Sequence, residues 1–181
     1  MNYRQKTLDL LLQVLADPST GFNAQYTALQ AEYDVPACAI NWTLPSENLI
    51  LGAVDPELLE LLRIESWPAI IIATEEATKT DAVKFSQWSG DVIVNVDAYI
   101  RLRAVDDLAA SLTAIDLSGN FEKHVNCFEE AAMTALQAGK IAFQSGGCNW
   151  VQMQSTRSPI GVLADGYTQR ATLTLGFRIH L

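Results

Sequence analysis

Histidine, cysteine and long apolar runs are all scarce in this sequence, and each scarcity closes a route to function. The two histidines, His124 and His180, have no Cys, His, Asp or Glu partner at the spacing of a local metal motif, so no such motif is expected. The three cysteines, Cys38, Cys127 and Cys148, are odd in number and widely scattered. They suit reduced thiols of a cytoplasmic-type environment rather than a disulfide framework. Uninterrupted apolar stretches such as Pro68 to Ala73 are far too short to span a bilayer, so a soluble protein with no membrane partner is expected. Met1-Asn-Tyr-Arg-Gln-Lys6 runs straight into an amphipathic pattern without an apolar signal core, which argues against secretion and makes the acceptor triplet Asn41-Trp42-Thr43 a chance match. Basic residues are also in deficit: 12 Lys and Arg against 21 Asp and Glu give a net charge of −9. This argues against a protein that as a whole clamps nucleic acid, because such binding rests on cations neutralising phosphates. A surface past which DNA must slide without sticking favours this sign. Neither the glycine-rich phosphate-loop patterns nor the Gly-x-Ser-x-Gly elbow occurs, and no internal repeat or low-complexity linker divides the chain.

What is present is a chain of 181 residues, 49% of them apolar, which is the length of one domain able to bury a core without staples. Leu8, Leu11, Leu12 and Leu15 share one face of a first helix over Tyr3 to Ala16, stopped by Asp17-Pro18-Ser19-Thr20-Gly21. Phe22, Tyr26, Leu29 and Tyr33 mark a short second helix, and the pair reads as a helical hairpin. A short strand is expected at Ala39 to Trp42, and a short helix opens at Asp55-Pro56 and carries Leu58 to Leu62. Pro68 to Thr74 reads as a strand covered on both faces, followed by an exposed loop or hairpin tip over Glu75 to Ala82. From Gly90 the residues Val92, Val94, Val96, Ala98, Ile100 and Leu102 alternate with polar neighbours as far as Arg103, which is a long strand with one buried face. Gly90 itself reads as a bulge or turn after a segment at Phe85 to Ser89.

Ala104 to Asn120 supports either a helix through Leu108, Leu112 and Ile115 or a protruding excursion. Phe121 to Gln137 is a second major helix ended by Gly139. Ile141 to Phe143 and Trp150 to Gln154 read as strand pieces around the turn Ser145-Gly146-Gly147. The chain closes on a strand from Tyr167 to Leu181. The expected fold class is therefore α+β, a mostly antiparallel sheet flanked by two main helices within a single domain spanning 1–181.

Candidate chemistry is thin. His124 lies on the second major helix beside Lys123, and His180 alternates with the apolar set of the last strand; both read as surface, boundary or interface residues. Cys127 stands one helical turn beyond Lys123, a position that can lower a thiol pKa, yet a cysteine within an amphipathic helix is more often a small packed residue. Cys148 follows a glycine-rich turn but has no base near it in sequence. The carboxylate pairs Glu75-Glu76, Asp106-Asp107 and Glu129-Glu130 occupy adjacent positions, which point in different directions and favour solvated surface over acid–base work. Arg101, Arg103, Arg170 and Arg178 fall on the polar faces of the two long strands, where a basic stripe competes with cross-strand pairing to Asp91 or Asp97, the reading favoured here.

Lys84-Phe-Ser-Gln-Trp-Ser-Gly-Asp-Val-Ile-Val-Asn-Val-Asp-Ala-Tyr-Ile-Arg-Leu-Arg103, then Phe121 to Leu136, and the closing Gly166-Tyr-Thr-Gln-Arg-Ala-Thr-Leu-Thr-Leu-Gly-Phe-Arg-Ile-His180 follow in an order of elements that resembles the tail-terminator and neck proteins of long-tailed bacteriophages. The likeness lies in element order and texture over most of the chain, not in a diagnostic motif. The resemblance implies a homohexameric ring that caps the tail tube and joins it to the head connector. The implied partners are other copies of the chain, tail-tube protein, connector or adaptor proteins, and DNA in the lumen. It implies a place in the neck of the virion, with assembly in the host cytoplasm, and brings no catalytic, cofactor-binding or metal-binding residues. The excursion at 104–120 is longer than the family leads one to expect, so a head-completion or adaptor protein of the same neck is the close alternative. From other classes stand a binding module and a small cytoplasmic enzyme using Cys127, Cys148 or His124.

Overall fold

Thirteen residues at the start form helix α1 (Tyr3–Leu15), which turns Leu11, Val14 and Leu15 inward while Arg4, Gln5, Asp9 and Gln13 stay exposed. These belong to a computed structural model that describes residues 3–52, 68–84, 87–103, 114–163 and 166–180. Asp17 organises the turn after α1. Its carboxylate accepts hydrogen bonds from the Ser19 and Thr20 amides at 2.9 and 2.7 Å and from their hydroxyls at 2.8 and 3.0 Å. Helix α2 (Phe22–Tyr33) then begins with Phe22, whose ring centre lies 5.6 Å from Tyr26, 5.6 Å from Trp42 and 5.2 Å from Phe128.

Phe128 belongs to α3 (Ala114–Ala138), the longest helix, and this contact corrects the expected hairpin. α2 packs along α3, whereas α1 rests on α3 and on the short helix α4 (Lys140–Ser145). The aromatic face of α2 finds its match in the apolar stripe Phe121, Val125, Phe128, Ala131, Ala132, Ala135 and Leu136, which a shorter helix does not offer.

The strand expected at Ala39 to Trp42 does not form. The backbone of Ile40 is satisfied by a side chain instead: its amide donates to Asn23 Oδ1 at 2.9 Å, and its carbonyl accepts from Asn23 Nδ2 at 2.8 Å. With both groups bonded locally, Ile40 needs no ladder partner. The strand of this region is β1 (Leu49–Leu51).

Five further strands complete a six-stranded sheet: β2 (Ala69–Lys84), β3 (Gln87–Arg103), β4 (Cys148–Arg157), β5 (Gly161–Leu163) and β6 (Gly166–His180). Their order is β1-β2-β3-β6-β4, with β5 also on β6, and every pairing except the parallel β1–β2 contact is antiparallel. The architecture is thus α+β, with a mostly antiparallel sheet and two main helices, as the sequence pattern predicts.

Several boundaries differ from expectation for identifiable reasons. Glu75 to Ala82 is not a loop but the continuation of β2, paired to β3 with register shifts between Thr74 and Glu76, Lys79 and Asp81, and Asp81 and Lys84. Inserted residues destroy the period of two that marks a strand in sequence. Gly90 neither turns nor bulges its own strand: it pairs with Lys79 on one side and Ile179 on the other, and the irregularity lies in the facing strand. α3 begins at Ala114, so the later part of the 104–120 excursion is helical; 104–113 and the helix expected at Asp55 to Leu62 lie outside the described residues. Ile141 to Phe143 is helical rather than extended, since α4 resumes directly after Gly139 and buries Phe143 against Phe177 at 5.1 Å.

The described helices cover one face of the sheet. Ile70, Ile72, Val92, Val94, Val96, Ala98, Ile100, Ala171, Leu173, Leu175, Phe177 and Ile179 join the helices in a single core. On the other face Ala69, Ile71 and Tyr99 form a small second cluster with Ile50, so Pro68 to Thr74 is indeed covered on both faces.

Gly139 sits where α1 crosses the α3–α4 junction, and a Cβ there would lie 2.2 Å from Val14 Cγ1. Its φ of −76° suits any residue, so alanine would gain up to about 1 kcal/mol through the unfolded chain. Overpacking against a stiff valine costs about 1–3 kcal/mol, and the clash wins. Gly139→Ala is therefore expected to lower the urea midpoint, with Val14→Ala recovering part of the loss in the double variant. Strict additivity of the two substitutions would contradict the contact.

The four hydrogen bonds at Asp17 hold its carboxyl well below the usual range, at about 2 against 3.8, the Ser19 hydroxyl contributing most. A depressed folded-state value stabilises the fold above the unfolded pKa, and that stabilisation is lost as pH falls through the window from 3.8 towards 2. Carboxylate chemical shifts followed by NMR are expected to show Asp17 titrating near the bottom of that window, and a midpoint near 3.8 would contradict the turn geometry.

Candidate functional site

Three places gather polar side chains, and each is built by pairing two elements. The first is the sheet face turned away from the helices. The alternation of β3 and β6 places Asp91 opposite Arg178, Asn95 opposite Thr174, Asp97 opposite Thr172 and Tyr99 opposite Arg170. Arg178 donates to Asp91 from Nε at 2.9 Å and Nη2 at 3.3 Å, Thr174 Oγ1 lies 2.9 Å from Asn95 Oδ1, and the Thr172 hydroxyl donates to the Asp97 carboxylate. Arg170 is held above the usual guanidinium value chiefly by its hydrogen bond with Tyr99, and Arg178 by its bond to Asp91. Cross-strand pairing with an acid is thus formed by Arg178, while Arg170 bonds Tyr99. Arg101 is half-buried on the same strand face opposite Thr168, while the side chain of Arg103 lies outside the described residues.

The second place centres on Arg157, near the end of β4. Its Nη2 lies 2.5 Å from Glu129 Oε2 and 2.6 Å from Asn126 Oδ1, its Nη1 lies 2.8 Å from Glu122, and the Ser155 hydroxyl also donates to Glu129. Glu129 is only 12% exposed and Arg157 30%, so this clamp between β4 and α3 is partly shielded from water. The neighbouring Glu130 points the other way and accepts a 2.5 Å bond from Tyr33 of α2, which pushes the Tyr33 hydroxyl up to about 12. Adjacent glutamates therefore bridge to different elements, in keeping with the divergence of neighbouring helix positions: Glu130 stays exposed as expected, whereas Glu129 is a shielded tie rather than solvated surface. Between them runs an open groove of about 340 Å³ lined by Tyr33, Asn126, Glu129, Glu130, Met133, Thr134 and Gln137.

The third place holds thiols. Cys127 is buried in the core beside Tyr26, and Cys38 packs half-buried against the same cluster. Burial raises Cys38 to about 12 and Cys127 to about 11, and it raises Tyr26 as well. Cys148 is buried at the start of β4, where Thr7 and Lys6 of α1 partly offset a burial that still raises its pKa. His124, half-buried on α3, is pushed down by burial and by the Lys123 charge, so it stays neutral at pH 7. The fold does not gather Cys127, Cys148 and His124 into one nucleophile–base constellation: Cys127 meets Tyr26, and Cys148 meets α1. His180 closes β6, and its side chain lies outside the described residues.

Among the described residues no group of three or more His, Cys, Asp or Glu is placed to hold a metal ion, and no helix is long and apolar enough to cross a membrane. No protein-family model matches the sequence, and no curated protein matches it. The Arg157 clamp was not legible in sequence, because its members lie 28 to 35 residues apart on separate elements without a shared motif.

Thiols held protonated at pH 7 attack electrophiles slowly, since the thiolate is the reactive form. Iodoacetamide at pH 7 is expected to leave Cys127 and Cys148 unlabelled in the native protein and to label all three cysteines in denaturant, as read by intact mass. Rapid native labelling of Cys127 would restore the nucleophile reading.

Proposed function

We propose that the chain is a structural subunit of a bacteriophage neck or tail, a tail terminator whose copies close into a hexameric ring over the tail tube and join it to the head connector. The observation that carries this reading is the division of the sheet. The described helices all pack on one face, and among the described residues the long outer strand β4 has no strand beside it and is available for association. Buried, protonated thiols and a neutral histidine add support, because the residues with the most chemical potential are invested in packing.

The charge balance fits the same role. A net charge of −9 repels phosphates, and DNA passing through a ring needs a wall that does not hold it. The Arg178–Asp91 pair and the Arg157 clamp consume basic side chains within the subunit, which leaves the acidic excess to set the outer field. A head-to-tail interface between identical subunits must close or propagate, and a cap requires closure.

Light scattering and negative-stain imaging of the purified chain, alone and mixed with tail-tube protein, test the proposal. Closed rings are expected, seated at tube ends in the mixture. A chain that stays monomeric at high concentration, and equally in the presence of tubes, would overturn it.

A further inference from the structure

A strand at the edge of a sheet presents alternate N–H and C=O groups outward, and proteins commonly guard such edges with lysine, proline, bulges or a covering element. Strand β4 is the outermost strand at one end of this sheet. Its ten residues, Cys-Asn-Trp-Val-Gln-Met-Gln-Ser-Thr-Arg, hold no lysine and no proline, and span about 33 Å at the usual strand rise. The single register shift lies between Trp150 and Gln152, where Val151 stands 58% exposed; from Gln152 to Arg157 the pairing with β6 is regular. Among the described residues nothing is paired to the outer side of this stretch, an edge of neutral side chains ending in Arg157.

At the opposite end β1 covers β2 only at Ile70, Ile71 and Ile72. Among the described residues the outer edge of β2 from Ala73 to Lys84 has no strand beside it. The strand directions decide what fits. β2, β3, β6 and β4 alternate, so the next strand to extend the sheet beyond β4 in the antiparallel sense runs in the direction of β2. A neighbouring copy in the same orientation supplies that strand.

We infer that β4 is the contact between copies of this chain, receiving the distal part of β2 from a neighbour so that one antiparallel sheet continues from subunit to subunit. Two different edges, β4 and the distal part of β2, have no strand beside them among the described residues, and their directions are complementary, whereas a two-fold pairing of β4 with itself would leave the β2 edge unused. Antiparallel docking sets the end of β4 beside the start of the free β2 stretch. The contact is heterologous, and the inference rests on the ring reading above only for its closure.

The test uses Glu75→Cys and Thr156→Cys, two exposed positions, each placed singly in a full-length Cys38→Ser background. Circular dichroism confirms the fold, and a short bis-maleimide is added to each variant alone and to their mixture. A covalent dimer from the mixture, and none from either variant alone, is the expected result. Self-crosslinking of Thr156→Cys would establish a two-fold β4 pair and overturn the inference, as would the lack of a mixed crosslink. Closed rings in stain without that crosslink overturn the edge contact while leaving the proposed function standing. A mixed crosslink in open filaments supports the edge contact and overturns the closed ring.

Discussion

The pairing of β3 with β6 is the constraint on which the rest of this structure depends. It runs without a register shift from Ser89 opposite His180 to Arg103 opposite Gly166. Because side chains alternate along each strand, this one register decides both faces at once. Val92, Val94, Val96 and Ala98 fall with Phe177, Leu175, Leu173 and Ala171 under the helices, and Asp91, Asn95 and Asp97 fall with Arg178, Thr174 and Thr172 on the other side. A slip by one residue between the two strands would split the Arg178–Asp91 pair and set the apolar side chains of one strand on the polar face. The polar ladder thus secures the register by satisfying its members only when the apolar ladder is in place.

Helix α3 is held over that sheet by two kinds of tie. Its apolar stripe supplies the burial, which is non-directional and would tolerate sliding along the sheet. The directional part comes from Glu129 and Glu130, one bonded to Arg157 and Ser155 of β4 and the other to Tyr33 of α2. Lys123 adds an exposed pair with Asp34 at 3.1 Å, of a kind that contributes little by itself. The Arg157–Glu129 clamp is a different matter, since removing Arg157 would strand the Glu129 carboxylate, which is largely out of water.

Legibility in the sequence followed the physics of periodicity. The two long strands and the main helix stand out because each buries one continuous face, from Val92 to Ile100, Ala171 to Ile179 and Phe121 to Leu136. Where the period fails, so does the reading: the bulged continuation of β2 looks like a loop, and the single turn of α4 looks like a strand because its residues Ile141 and Phe143 alternate. Ile40 misled in the opposite way, since an apolar residue with an extended appearance gives its backbone to Asn23 rather than to a ladder. The polar sites were partly visible. Pairing of Arg178 with Asp91 follows from alternation alone, whereas the Arg157 clamp joins a strand to a helix through side-chain reach that no spacing rule encodes.

The distribution of satisfied and unsatisfied groups also says where recognition costs least. On the sheet face away from the described helices the polar side chains already bond one another, so a partner that used Asp91, Asp97 or Arg178 would first have to break those pairs. The groove beside α3 is in the same condition, with Glu129 and Glu130 each committed to an internal donor. Among the described residues no strand lies beside the outer edge of β4, and a strand laid there adds backbone hydrogen bonds without breaking the side-chain pairs of the subunit. Association at the edge therefore leaves both the register of β3 with β6 and the seat of α3 intact, which is what an assembly built from preformed subunits requires.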